Sequence, residues 1–162
     1  MQNSPMGQKM NVGSASQRGV TLIELLVCVA LVAVLASLAM PSVITYIKQD
    51  RINSSVHHLN SVYQFARSEA VKREKPIKLV KNNTQWDVTI VENQQAMVLR
   101  TFTIEHESIR VQLVDREIRS TGELNQVSNI LVTDNDNSTL DYRLCILRSG
   151  QSWISEAAEN CV

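Results

Sequence analysis

Aromatic side chains are scarce: two Trp, three Tyr and two Phe in 162 residues. A core built from this chain must be aliphatic, with Trp86, Phe102, Tyr142 and Trp153 filling only part of it. Net charge is absent as well, with 16 basic and 16 acidic side chains. A zero balance removes any global electrostatic case for a nucleic-acid partner. The usual signatures of catalysis are missing too. There is no G-x-S-x-G, H-E-x-x-H, phosphate loop or dinucleotide fingerprint. His57 and His58 are adjacent on an expected helix and point to different faces, and His106 sits in a turn between acids, so no metal pair forms. The "DNDN" stretch, Asp134 to Asn137, offers oxygen ligands but lacks the glycine and distal glutamate of a calcium loop; it reads as a polar loop. No enzyme, metal or cofactor is expected.

What the chain does have is one long apolar run. Val20 to Met40 is 21 residues, and from Leu25 onward its only polar side chain is Ser37. At about 1.5 Å per residue such a helix is near one hydrocarbon thickness. A cleaved secretory signal and a retained membrane helix both fit. The run exceeds the roughly 7 to 15 residues of a signal core, and Glu24 would disturb one. An acid in the middle of a membrane helix costs roughly 2.5 to 3.5 kcal/mol, and less near an interface. Glu24 is therefore either a functional group or a side chain reaching back to the headgroups. Lys9 and Arg18 precede the run, and no base occurs between Val20 and Ile47. That asymmetry predicts a cytoplasmic N-terminus and an exported remainder. Without residues 1 to 19 the chain has 14 bases against 16 acids.

Three cysteines occur. Cys28 lies in the apolar run and reads as a small membrane-facing residue. Cys145 and Cys161 lie in the exported part, where an oxidising compartment favours a bridge over two free thiols.

Beyond Pro41 the helical period persists. Ile44, Ile47, Ile52, Val56, Leu59, Val62, Ala66 and Ala70 form one apolar stripe. Lys48, Asp50, Arg51, Asn53, Asn60, Gln64, Arg67 and Lys72 fill the other faces, and Pro76 ends the run. A helix from about Thr21 to Arg73, bent at Pro41, is expected. The period then becomes two. Strands are expected at Ile77–Lys81, Gln85–Val91, Ala96–Ile104, Ser108–Val114, Asn129–Thr133, Leu140–Leu147 and Ser152–Ile154. The turns between them are "KNNTQ", "ENQQ" and "EHES", with longer loops at "STGE" and "TDNDNST".

The stretch "RGVTLIELLVCVALVAVLASLAMP" resembles the processing signal of bacterial type IV pilins and type II secretion pseudopilins. The resemblance makes Gly19 the last leader residue, cut by a prepilin peptidase, and Val20 the mature, N-methylated terminus. Glu24 then stands where the family keeps its glutamate, and Pro41 where many members have a helix-kinking proline. Val20 departs from the usual Phe. The family's glutamate attracts the N-terminal amine of a neighbouring subunit, and an acid and an ammonium in low dielectric attract strongly. A second stretch, "SVYQFARSEAVKREKPIKL", is similar to the FimT/GspH-type minor pilins. The implied fold is α+β, a long N-terminal helix whose C-terminal half packs on an antiparallel sheet.

The resulting organisation is a leader, 1–19; a transmembrane helix, 20–40; an amphipathic helix, 41–75; and a periplasmic β-rich domain, 76–162. The implied partners are the prepilin peptidase, other pilin or pseudopilin subunits and the inner membrane, and the implied function is assembly of a pilus or secretion pseudopilus. Some FimT-like pilins bind DNA through a basic stretch near the C-terminus. Here "RSGQSW" has Gln151 and Trp153 where that motif has arginines, leaving Arg143 and Arg148 as the contacts in an alternative DNA-uptake reading. A further basic cluster, Arg67, Lys72, Arg73, Lys75, Lys78 and Lys81, lies at the helix–strand junction.

Overall fold

The structure, a computed structural model, describes residues 19 to 161; residues 1–18 and 162, and the side chains at 38, 39 and 41, lie outside it. Most of the expected leader and the expected bend at Pro41 therefore fall outside the description. One helix, α1 (Leu22–Arg73), precedes eight strands. The chain divides into a unit ending at Met40 and a second, Pro41–Val162, and each is taken by itself.

In the first unit α1 starts at a threonine cap. The Thr21 hydroxyl accepts a hydrogen bond from the Glu24 N–H at 3.3 Å, and the Thr21 carbonyl accepts from the Leu25 N–H at 3.2 Å. The apolar side chains from Leu22 to Leu35 are all exposed. Ser37, the polar exception, donates to the Val34 carbonyl at 2.7 Å, so its hydroxyl is satisfied within the helix. By length and composition no single helix here is long and apolar enough to cross a membrane; Leu22–Ser37 and Ser42–Arg73 reach that threshold only together.

In the second unit the apolar stripe of α1 becomes the centre of the core. Ile52, Val56, Leu59, Val62, Ala66 and Ala70 are fully buried, as expected, and Tyr63 joins them. Ile44 and Ile47 do not: both are exposed. The period continues through them, but the packed core begins only at Ile52. The helix ends in a Schellman motif, with Lys75 N–H bonded to Ala70 O and Glu74 N–H to Val71 O, and Glu74 at φ 53°. Pro76 follows and prevents continuation.

The strands form two antiparallel sheets. Sheet A has the order β3-β2-β1-β5 and sheet B the order β4-β6-β7-β8. In sheet A, β1 (Ile77–Asn82), β2 (Gln85–Glu92) and β3 (Gln95–Thr103) form consecutive hairpins. The β2–β3 loop is the two residues Asn93 and Gln94, both at positive φ, which suits the twist of a tight hairpin. β5 (Arg116–Ile118), unanticipated in the sequence, pairs with β1 through Ile77 and Ile118. Only Arg110–Val111, β4, survives of the strand expected over 108–114. In sheet B, β6 (Ser128–Thr133) and β8 (Ser152–Glu156) flank β7 (Tyr142–Ile146). Alternate residues of both sheets face α1: Leu79, Trp86, Val88, Ile90, Ile130, Val132 and Leu144 are all buried.

Of the four aromatics expected in the core, Trp86 and Phe102 are buried there and Tyr142 packs against it. Trp153 does not: it shares the outer side of sheet B with Cys145, its partner in register. Cys145 is bridged to Cys161, with their Cα atoms 5.5 Å apart. Closing a loop of that length restricts the unfolded chain by about 3 kcal/mol. Cys28 is free and exposed.

Candidate functional site

Two regions carry chemistry: the beginning of α1, and the polar contacts that fix its second half to the sheets. At the first, Gly19 has nothing within 4 Å of a side-chain position. It lies exposed in irregular backbone, with Val20 and Thr21 between it and the first helical residue, Leu22. Glu24 is exposed in the first turn of α1. An acid there faces the positive end of the helix dipole, a favourable placement. Thr21 was not singled out from the sequence, although "TLIE" has the spacing of a capping box, a signal for it. Glu24 therefore stands where a helix start accepts a carboxylate, rather than mid-helix where it would be costly.

At the second region, side chains on the polar flank of α1 reach loops far along the chain. Lys48 and Asp136 form an ion pair at 2.6 Å. The Gln49 amide holds the Leu140 backbone from both sides, donating to its carbonyl at 3.0 Å and accepting from its N–H at 2.7 Å. Gln64 donates to the Ser152 hydroxyl, which donates to Asn60. Tyr63 donates to the Gly150 carbonyl at 2.8 Å, and Arg67 Nε to the Gly122 carbonyl at 3.1 Å. Burial pushes the Tyr63 phenol up to about 12, because the phenolate would be taken out of water.

The acidic loop Asp134–Thr139 belongs to this clamp. Asp136 accepts from Lys48 and from the N–H and hydroxyl of Ser138, while Asp134 accepts from Asp136 N–H and the Thr139 hydroxyl. The hydrogen bond from Lys48, then those from Ser138, hold the Asp136 carboxyl well below the usual carboxylate range, and Asp136 in turn raises Lys48. Among the described residues no group of His, Cys, Asp and Glu could hold a metal ion.

The junction cluster is partly neutralised. Glu69, buried on α1, bonds Arg73 at 2.6 Å and lies 3.8 Å from Lys72, and Glu92 pairs with Lys75 at 3.2 Å. The Arg73 hydrogen bond is the main cause of a lowered Glu69 carboxyl. Glu69 and Glu74 lie within the cluster in sequence; Glu92 joins it because the β2–β3 hairpin brings it there. Arg67 is turned inward to Gly122, and Lys78 and Lys81 make no ion pair among the described residues. Arg143 and Arg148 are not brought together. Arg143 lies mid-strand in β7, between Leu131 and Ser155 in register. Arg148 lies beyond the strand's end, exposed in the turn before β8, with one N–H on the Asn125 carbonyl at 3.4 Å.

Comparison with known proteins places this arrangement. The family described as "Prokaryotic N-terminal methylation motif" matches residues 14–40, and the family "Type II transport protein GspH" matches residues 55–159, more than half the chain. Two crystal structures of the type IV minor pilin FimU from Pseudomonas aeruginosa strain PAO1 share the fold. The form in space group P21 has 15% identity and a TM-score of 0.59 over 72% of this chain and 99% of that one. The form in P65 has 17% identity and a TM-score of 0.55 over 68% and 99%. At such identities the likeness is one of fold alone. No curated protein matches the chain significantly.

Proposed function

The chain belongs to the family of type II transport protein GspH, and from that premise we propose that it is a minor pilin or pseudopilin that primes or caps a type IV pilus or a type II secretion pseudopilus. It is made as a precursor, held in the inner membrane by the first half of α1 with its N-terminus cytoplasmic, and cut after Gly19 by a prepilin peptidase. Val20 becomes the methylated terminus. The Pro41–Val162 unit stands in the periplasm until assembly. Its work is structural and needs no cofactor.

The observation that carries this reading is the register of the N-terminal methylation motif, residues 14–40, with the start of α1. Gly19 lies exposed ahead of the cap, and Glu24 is exposed in the first turn. The unbroken row of exposed apolar side chains that follows requires lipid or neighbouring helices around it. Mass spectrometry of the protein from membranes tests the reading. The expected mature chain starts at Val20 with one added methyl group. An intact leader, or a start at Met40, overturns it.

The alternative, a DNA-binding pilin acting in uptake, has less in its favour. Arg143 lies within β7 and Arg148 in the turn beyond it, and Lys72, Arg73 and Lys75 are engaged by Glu69 and Glu92. Phosphate binding needs clustered, free cations. Micromolar, salt-sensitive retardation of duplex DNA that is lost on removing Arg143 and Arg148 would promote it.

A further inference from the structure

Between α1 and the loop that follows β3 lies a small cavity of about 190 Å³. On the helix side it is lined by Arg51, Ser54, Ser55 and His58. Their spacings of three and four residues put them on one flank of α1, beside the buried stripe of Ile52, Val56 and Leu59. A helix covers its own backbone, so side chains form this wall. The opposite wall includes Phe102, near the end of β3, and Glu105 and His106 in the loop. Both walls are held in place. Phe102 is buried, and the His58 ring lies tilted against it with centroids 5.2 Å apart. The His106 carbonyl accepts from the Ile109 N–H at 3.0 Å, which closes the turn that carries His106. The polar groups are not used elsewhere. The side chains of Arg51, Ser54, Ser55 and His106 make no hydrogen bond or ion pair among the described residues.

We propose that this cavity binds a tetrahedral oxyanion, a sulfate or phosphate group, filling at mildly acidic pH and emptying near neutrality. One guanidinium, two imidazoles and two hydroxyls line a common space, and all of them can donate to oxygen. The guanidinium fork matches such an anion with two parallel hydrogen bonds. Two histidines and a glutamate are also metal-ligand types, but among the described residues they form no group that could hold an ion. The pH dependence follows from the charges. Arg51, His58, Glu105 and His106 are the charged or titratable residues that line the cavity. With both imidazoles neutral, Arg51 and Glu105 cancel. With both protonated, the site is strongly cationic, and histidine is the side chain that changes charge between about pH 5 and 8. The surroundings do not reverse this. Lys81, Glu107 and Arg110 line a separate cavity that also touches Glu105 and His106, two bases against one acid. On α1, Asp50 and His57 are exposed, and Lys48 is paired with Asp136. Nothing in this proposal depends on leader cleavage or filament assembly.

The test is calorimetric titration of the full chain, in a maltoside detergent, with sulfate. Sulfate keeps its double charge across this pH range, so any pH dependence belongs to the protein. Saturable binding is expected at about pH 5.5, weaker by about tenfold or more at about pH 7.5. Arg51→Gln changes an exposed position and should weaken binding by about tenfold or more. His106→Gln, also exposed, should flatten the pH dependence, and Glu105→Gln should strengthen binding at the higher pH. A cooperative thermal transition shows that each variant is folded. Inorganic phosphate and glycerol phosphate, both mostly singly charged at about pH 5.5, identify the source of the anion. Tighter glycerol phosphate assigns the site to a phosphorylated molecule, and tighter inorganic phosphate to the free ion. No saturable binding of sulfate up to about 10 mM, equal affinity at the two pH values, or affinity unaltered by Arg51→Gln overturns the proposal.

Discussion

The phenol of Tyr63 donates a 2.8 Å hydrogen bond to the carbonyl of Gly150, 87 residues away along the chain. Gly150 sits at φ 84°, and a Cβ there would lie 2.0 Å from the Gly122 carbonyl oxygen. Two turns thus close on one another, and α1 holds both, Tyr63 at Gly150 and Arg67 at Gly122. Tyr63→Phe removes one hydrogen bond and leaves a carbonyl unpaired, with an expected cost of about 1 kcal/mol. Gly150→Ala adds left-handed strain to a backbone clash, and roughly 3 kcal/mol is expected. Urea denaturation of the domain beginning at Ser42, which contains every buried core residue, should place the alanine variant well below the phenylalanine one.

Alkaline stability should depend on the same side chain. Tyr63 is raised in the folded state to about 12, above the ordinary value near 10. The unfolded chain therefore loses this proton first. The contribution is fully present below about pH 10 and disappears as pH rises to about 12. Denaturation midpoints measured across that window should fall more steeply for the wild type than for Tyr63→Phe. Parallel curves would remove the burial argument.

At the acid end the pair to watch is Lys48 and Asp136. Asp136 is lowered in the folded state, so its contribution is present above the ordinary carboxylate value near pH 4 and is lost as pH falls below it. Asp136→Asn should be less stable than the wild type at neutral pH, and the gap should close as pH drops from about 4 toward 2. Added salt should narrow the gap less than for a simple surface pair, because Ser138 fixes the carboxylate as well.

Glu74 occupies a left-handed position at φ 53° where helices usually place glycine. Its carboxylate makes no hydrogen bond or ion pair among the described residues. Glu74→Gly should relieve the strain and stabilise the domain by up to about 1 kcal/mol, the larger freedom of glycine in the unfolded chain offsetting part of the gain. Thermal denaturation should show a raised midpoint, and a lowered one would mean that the Schellman turn costs nothing with glutamate.

Local patterns were legible and distant pairings were not. The stripe from Ile52 to Ala70, the stop at Pro76 and the hairpins of sheet A follow from periods and turns within a few residues. Ile44 and Ile47 continue the stripe yet stay exposed, because an amphipathic period says which face is apolar, not where its partner begins. Tyr63 was passed over beside Val62, and only the turn at Gly150 explains why a phenol is buried there. β5 has three residues and exists through pairing with β1, a contact no local window contains. The Asp134–Thr139 loop looked merely polar because the lysine that uses it is 88 residues away. At the start of α1 the reverse holds: Gly19, Thr21 and Glu24 are neighbours, and their arrangement could be read from order alone.

On the proposed cut after Gly19, a new ammonium appears at Val20, one residue before the Thr21 cap. A positive charge there faces the positive end of the α1 dipole and is disfavoured until an acid neutralises it. A neighbouring subunit's glutamate can supply that charge in an apolar environment, where pairing is strong. Glu24→Ala should therefore leave cleavage intact, as judged by the mass of the mature chain, yet reduce recovery in sheared filaments by about tenfold or more. Glu24→Gln keeps the shape and loses the charge, so it should fail equally. Thr21→Val removes the cap, worth about 1 kcal/mol to the helix, and should assemble nearly normally. Equal assembly of the glutamine variant and the wild type would show that Glu24 serves the helix start alone.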